Sequence, residues 1–384
     1  MTTVNDRSAV AAAVAISFIS MAPFLVLPLF VGAVANDRGL NSPQIAWLAS
    51  TLMLGAAISS VLAMFWVRKV DCHKAAYLAL SVVAVSFFGA IFTDNLLIFF
   101  LLVFLGGLGG GSAYSLVLTA LSDNRNSERC FGFSLAAQVL FQVIGLFFLP
   151  TLTAVAGAKA GLILFSVLAV VGLCLVSALP QAGMAVTQPP VKKILPTSAA
   201  LWALGGCLLF FFNVGVVWTF IERMAYANGF SAKFIGMALS AGVSLGVLGA
   251  LAAAWCGDRW GYVRPLTIGA VITLLSLCLL LAGMSPLQFV IALALYNFAW
   301  NFSLAFQYAA VNAVDKGGRA VAIAPAFHAT GAAIGPSLAA LFITANDYIA
   351  VNILAAVAVL LSLLFFVLAI GKRKHGCVMA QQES

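Results

Sequence analysis

Residues 255–264 read Trp255-Cys256-Gly257-Asp258-Arg259-Trp260-Gly261-Tyr262-Val263-Arg264, a charged turn wedged between two apolar runs. The stretch has a double 190 residues earlier, Met64-Phe65-Trp66-Val67-Arg68-Lys69-Val70-Asp71-Cys72-His73-Lys74, again basic and again bounded by apolar runs. The same shift, without a gap, lays Arg129 on Arg319, Gln138 on His328 and Gly145 on Gly335. It also lays Gly39 on Gly229, Ile45 on Ile235 and Ser50 on Ser240. One offset therefore relates several separated segments, as an internal duplication does.

With 64% hydrophobic and 8% charged residues, the chain is excluded from the soluble globular class, where about a quarter of residues are charged. It reads as a membrane protein. Apolar runs of about 20 residues, enough to span the hydrocarbon layer, begin near Ser8, Gln44, Ala75, Leu96, Phe131 and Ala160, then near Ser198, Ala232, Pro265, Leu287, Ala320 and Tyr348. That predicts twelve spans. Residues 1–180 form one six-helix bundle, 181–197 a polar connector with Pro189, Pro190, Lys192, Lys193 and Pro196, and 198–384 a second bundle with a short tail. The first run, from Ser8 to about Val34, is too long for a signal-peptide core and has no convincing cleavage site.

With the N-terminus inside, all but Arg38, Lys159, Arg223 and Lys233 of the nineteen Lys and Arg fall on the cytoplasmic side. The positive-inside rule then places both termini in the cytoplasm. The net charge of +8 follows from this topology, being scattered over short loops and tails, and no nucleic-acid partner is implied. The cluster Lys372-Arg373-Lys374-His375 is suited to anchoring the last helix on anionic membrane lipid. The seven cysteines lie in helices or at cytoplasmic ends, so neither a disulfide framework nor a metal site is expected, and no cofactor is called for.

Gly257-Asp258-Arg259-Trp260-Gly261 with Arg264 resembles the cytoplasmic signature between the second and third helices of each half in the major facilitator superfamily, and the resemblance covers the chain from about Ser8 to Ile370. It implies an all-α membrane protein of twelve transmembrane helices in two pseudo-symmetric six-helix bundles, rocking about a midplane site. It also implies that Asp258, with Arg259, Gly261 and Arg264, closes the cytoplasmic side by capping the fifth helix near Arg129 to Phe133, where the helix dipole favours an anion. The first half carries Arg68 instead, which is expected to bridge to Asp315, beside Arg319. The run Gly331-Ala332-Ala333-Ile334-Gly335-Pro336 resembles the family's antiporter signature, displaced to the other half. The Arg that family drug antiporters carry near the start of the fourth helix is replaced by Leu102 and Val103.

Polar side chains inside apolar spans mark the candidate site, because each costs free energy unless it meets a partner, water or a solute. Gln138 and Gln142 share a helix face and either line a cavity or join two helices. Asn213, Trp218 and Glu222 project from the seventh span. Glu222 is either a proton carrier or an interfacial carboxylate paired with Arg223. Asn297, Trp300 and Asn301 load the tenth span, and His328 in the eleventh can change charge near neutral pH. Pro23 and Pro28 predict bends in the first span. The glycine run from Gly106 to Gly111 lacks the Lys-Ser/Thr of a phosphate loop and is expected to let a neighbouring helix approach closely.

The expected function is secondary transport of a small neutral or weakly charged organic solute across the inner membrane, coupled to protons through Glu222 or His328 and leaning to export, by a monomer of drug- or sugar-efflux type. An uptake symporter or facilitator is the alternative, and a non-transporting sensor a remote one. Nothing points to an enzyme.

Overall fold

The computed structural model describes residues 6–124, 127–179, 197–281, 283–315, 319–343 and 347–382. The chain divides into two compact units, Met1–Pro190 and Val191–Ser384. In the first lie α1 (Arg7–Leu25), α2 (Leu27–Arg38), α3 (Ser42–Trp66), α4 (Cys72–Ala90), α5 (Leu96–Ser122), α6 (Ser127–Ala156) and α7 (Ala158–Leu175). In the second lie α8 (Ser198–Ala227), α9 (Ala232–Cys256), α10 (Val263–Leu279), α11 (Pro286–Val314), α12 (Arg319–Ala340) and α13 (Ile349–Gln382).

Ten of these helices are long and apolar enough to cross a membrane. The apolar α10, of 17 residues, and α12, interrupted by Pro325 and Pro336, complete the twelve spans, with α1 and α2 forming one interrupted span. Of the expected connector, Thr197 alone is described, and its hydroxyl caps α8 by accepting from the Ala200 N–H at 3.1 Å. Lys192, Lys193, Arg125 and Lys316 lie outside the described residues.

The duplication read from the sequence recurs in local structure. Asn41 caps α3 and Ser231 caps α9; Asn95 caps α5 and Ser285 caps α11, each pair 190 residues apart and each supplying a side-chain oxygen to a free N–H of the first turn. Gly39 and Gly229 take left-handed φ values of 61° and 81° where the first span of each half ends, a conformation that favours glycine. The neighbours correspond as well, α3 with α5 as α9 with α11, α4 with α5 as α10 with α11, and α1 with α6 as α8 with α12. A Cβ on Gly145 would lie 2.7 Å from Val26, and one on Gly335 would lie 2.9 Å from Val216, again at the same shift. Ala63, Leu121, Cys130 and Leu179 in one core match Ala253, Val311, Ala320 and Ala369 in the other.

The first span breaks at Val26 (φ −109°, ψ 19°), two residues before Pro28. Proline lacks the N–H that would bond four residues back, and its ring crowds that carbonyl. In a membrane such a break persists where the freed groups are covered. Gln142 meets the carbonyl next to the break, donating its amide to Leu25 at 3.1 Å.

Close approach between helices is built differently in the two halves. In α5 the glycine run meets three neighbours rather than the one expected: Gly107 and Gly111 face Leu52, Ala56 and Ser59 of α3, Gly106 and Gly109 face Phe87 and Ala79 of α4, and Gly110 faces the Ser20 carbonyl of α1. In the second half the small residues sit on the other partner. Gly242, Gly246 and Gly249 of α9 face Leu293, Asn297 and Phe298 of α11. That swap frees α11 to carry Tyr296, Asn297, Trp300 and Asn301 at positions matching Gly106, Gly107, Gly110 and Gly111.

At the end of each bundle remote from the chain termini, polar side chains close the turns. The Arg38 guanidinium donates to the carbonyls of Thr93 at 2.9 Å and Ala90 at 3.4 Å, and lies 4.0 Å over the Phe99 ring. Asp37 accepts from the Ala158 N–H at 2.5 Å, an anion at the start of α7. The matching turn of the second half is held by Asn228, which accepts from the Gly283 N–H at 2.7 Å, and by Asn352, which donates to the Leu280 carbonyl at 2.8 Å.

Candidate functional site

The large residues on α11 stand where the first half has its closest helix contacts, so they must fill space between α11, α8 and α12. They do so as a chain of rings. Trp300 meets Trp218 and Phe211 of α8 edge-on, both at 6.1 Å between centroids. Phe211 stacks on the His328 ring at 4.1 Å. His328 is held from the other side by Tyr308, whose hydroxyl lies 3.3 Å from Nδ1. Gly331 and Gly335, one turn apart on α12, let α8 come close enough for the stack by facing Leu208 and Phe212.

Trp218 and His328 are buried while Phe211, Trp300 and Tyr308 are partly exposed, and two buried polar side chains of α8 and α12 are not saturated with hydrogen bonds. His328 is 4% exposed, and its Nε2 has no partner among the described atoms. Asn213 is 1% exposed; its Nδ2 donates weakly to the Phe210 carbonyl at 3.5 Å, and its Oδ1 is without a partner among the described atoms. Buried polar atoms left open are rare and call for an explanation.

The other candidates are placed differently. Asn297 and Asn301 donate to carbonyls one turn back, Leu293 and Asn297, both at 2.9 Å, and both border Gly246 of α9. Gln138 donates to the Ser134 hydroxyl at 3.2 Å, which donates to Ser17 of α1 at 2.7 Å. Gln142 crosses to α1 by its bond to Leu25, whereas Gln138 bonds within α6 and meets Tyr114 of α5. Arg223, expected beside Glu222 near the outer end of the seventh span, is buried within the last turns of α8. Its Nε lies 2.8 Å from Glu222 Oε2, close enough to pair although not aligned for a hydrogen bond. Phe211 carried no polarity to distinguish it in the sequence. No spacing in the sequence marked Tyr308 as a partner of His328.

A model of the Major Facilitator Superfamily matches residues 11–212 and 203–376. The chain belongs to the Major Facilitator Superfamily. Its fold is similar to that of the nucleoside transporter NupG (TM-score 0.73, 14% identity, covering 93% of this chain and 98% of that one). It is likewise similar to a D-xylose-proton symporter (TM-score 0.75, 14% identity, 92% and 96%). A bacterial homologue of the human lysosomal transporter Spinster, inward-facing and occupied, is also similar (TM-score 0.68, 12% identity, 94% and 95%). At these identities the likeness shows the fold alone. No curated protein matches the chain. Membership of the family makes this a multi-pass membrane protein and a secondary transporter, and points away from an enzyme.

The superfamily signature adopts a compact turn in the second half. Residues Gly257–Trp260 form a 3₁₀ turn between Gly257 and Gly261, with left-handed φ of 49° and 64°, and Arg259 lies 5.8 Å over Trp255. Arg264 is exposed. The side chains of Asp258 and Arg319 lie outside the described ones. In the first half Arg68 forks onto Asp123, Nη2 to Oδ1 at 3.2 Å and Nη1 to Oδ2 at 3.3 Å, tying the turn after α3 to the end of α5. Asp315 accepts from the Ala320 N–H at 2.7 Å, an anion at the start of α12. Each member of the expected Arg68 to Asp315 bridge thus has a role inside its own unit.

Proposed function

We propose that this superfamily member exchanges protons for a small neutral or weakly charged organic solute that binds along the Trp218, Trp300, Phe211, His328 chain. The observation that supports it is a run of contacting rings that ends at the buried His328, whose Nε2 has no hydrogen-bond partner among the described atoms. Rings give an uncharged solute an apolar face, and a few placed polar groups fix its orientation. His328 is the proton carrier. Its Nδ1 is oriented by Tyr308 while Nε2 is open to take or give a proton, whereas Glu222 already has Arg223 beside it and is the second choice. Asn297, Asn301 and Gln138 position the helices that carry the site, and Gln142 maintains the break in the first span.

Transport follows an exporting, drug- or sugar-efflux-like cycle in the inner membrane, by a monomer with both termini in the cytoplasm. The glycine-proline run of α12 supports that direction by its resemblance to the family's antiporter signature. Arg68 trades Asp123 for Asp315 as the bundles rock, with Asp258, Arg259, Gly261, Arg264, Arg129 and Arg319 forming the rest of the gate. Uptake by symport is the second reading. It is favoured by Leu102 and Val103 in place of the antiporter Arg, and by the likeness to a symporter of D-xylose.

Liposomes carrying an imposed pH gradient separate the two. Antiport accumulates solute when the lumen is acid, symport when the outside is acid, and accumulation indifferent to both contradicts proton coupling. His328→Gln is expected to abolish the response to the gradient and Glu222→Gln to leave it. Full coupling in both variants would remove both residues from the mechanism.

A further inference from the structure

The second bundle departs from the first at one buried place that the transport reading does not use. On α11, Ser303 and Gln307 stand one turn apart on a single helix face and are 2% and 1% exposed. Neither the Ser303 hydroxyl nor either amide atom of Gln307 has a hydrogen-bond partner among the described atoms. Both line a small cavity of about 10 Å³ between α8, α10, α11 and α13, with Phe210, Ala270, Ser362 and Phe366 in its wall. The Ser362 hydroxyl already donates to the Gly206 carbonyl at 2.7 Å.

The internal duplication supplies the comparison. At the same shift of 190 residues the first bundle has Ala113 for Ser303, Val117 for Gln307 and Leu80 for Ala270. All three are fully buried and belong, with Ala76 and Ala79, to one apolar core. Leu80 packs against Gly172, where a Cβ would lie 3.2 Å from its side chain, and Gly172 is the twin of Ser362. The second bundle thus gives up the volume of a leucine and gains unpaired polar atoms at the same point. Gly269 preserves their room, since a Cβ there would collide with the Ser303 hydroxyl.

Buried amides and hydroxyls cost free energy when unpaired, so the occupant must both give and take hydrogen bonds. Gln307 Nε2 donates, its Oε1 accepts, and the Ser303 hydroxyl does either. The space is about what one water molecule needs, and the polar atoms on offer match the roughly two to four partners such a water takes. A metal cation would face the Nε2 donor and, among the described residues, no carboxylate in the lining; an unpaired charge in such a place is far more costly than a neutral dipole. We infer that this cavity is a binding site for a single ordered water, which joins Ser303 to Gln307 and stands in the second bundle where the Leu80 side chain stands in the first. It is no part of the ring chain assigned to the solute.

The test exposes the full chain in nanodiscs to a brief X-ray pulse, which splits bound water into hydroxyl radicals that oxidise the side chains around it, and reads the products by mass spectrometry. Phe210 and Phe366, 4% and 1% exposed, are the reporters; Phe220 and Phe289, both 0% exposed and neither lining the cavity, are the controls. Wild type is expected to be oxidised at both reporters and at neither control. The triple variant Ala270→Leu, Ser303→Ala, Gln307→Val carries the first bundle's own residues. It loses the reporter oxidation and melts no lower than wild type, because the polar groups and their partner leave together. Ser303→Ala with Gln307→Val gives the same loss without added volume, since a cavity lined only by apolar groups stays dry, and it serves where the leucine blocks folding. Reporters no more oxidised than the controls in wild type overturn the inference, and so does undiminished oxidation in either variant. The unfolding midpoint is expected to be the same in sodium chloride and choline chloride; a rise specific to sodium in wild type that the variants lack overturns the inference in favour of a cation.

Discussion

Gly107→Val is expected to yield no stably folded protein, and Gly215→Val the same. A Cβ at Gly107 would run into the Leu52 carbonyl, with the Leu52 carbonyl carbon 3.1 Å away, and one at Gly215 would run into Ala332, its Cα 2.7 Å away. The obstacle in each case is backbone of a neighbouring helix, which has no rotamer to escape into. Overpacking a core costs about 1–3 kcal/mol when side chains can adjust, so an obstructed backbone sets the expected loss at about 3 kcal/mol or more. Gly132 is the control. A Cβ there meets nothing within 4 Å, and Gly132→Ala gains up to about 1 kcal/mol from helix propensity. Melting in detergent, followed by the monodisperse fraction in size-exclusion chromatography, ranks the three; a Gly107→Val protein as stable as wild type would contradict the helix contacts described for α5.

Trp300→Ala is the substitution expected to damage solute recognition most. Trp300 is the joint of the ring chain, touching both Trp218 and Phe211, so its removal leaves two aromatic neighbours without support. Truncation of a central aromatic anchor commonly costs about 2 kcal/mol or more, which corresponds to roughly a 30-fold rise in half-saturating solute concentration. Trp300→Phe retains a ring of smaller reach and should lose much less. Leu248→Ala, at an exposed position on α9, should leave affinity unchanged. A Trp300→Ala protein with wild-type affinity would move the solute site elsewhere.

The repeat was legible because caps and left-handed glycines are set locally, by one or two residues each. Asn41, Asn95 and Gly39 could therefore be matched to Ser231, Ser285 and Gly229 by counting alone. The exchange of glycines between α5 and α9 was not legible in the same way. The offset sets Gly107 on Asn297 and Leu52 on Gly242, and compensation between two helices shows only when their contact is seen. The polar load of α11 and the promise of His328 could be read from cost, since such groups do not sit idle in hydrocarbon. Their partners could not: Tyr308 and Phe211 reach His328 from two other helices. The fork from Arg68 to Asp123, 55 residues away in sequence, joins two turns of one bundle and had no signal in the spacing, whereas the bridge to Asp315 belongs to the proposed cycle. Gln138 and Gln142 were recognised as costly, and Pro23 and Pro28 announced a bend, but the acceptors the two amides meet, the Ser134 hydroxyl and the Leu25 carbonyl, show only when α1 and α6 are seen in contact.

The central claim is that solute movement and proton movement share the ring chain ending at His328. It is tested most directly by reconstituting the protein in liposomes containing a pH-sensitive dye, adding a panel of nucleosides, pentoses and aromatic amines with no gradient imposed, and recording proton flux. Wild type should move protons on addition of at least one member of the panel, with the flux lost in His328→Gln and shifted to higher solute concentration in Trp300→Ala. Solute-triggered proton flux that is the same in wild type, His328→Gln and Trp300→Ala would contradict the account.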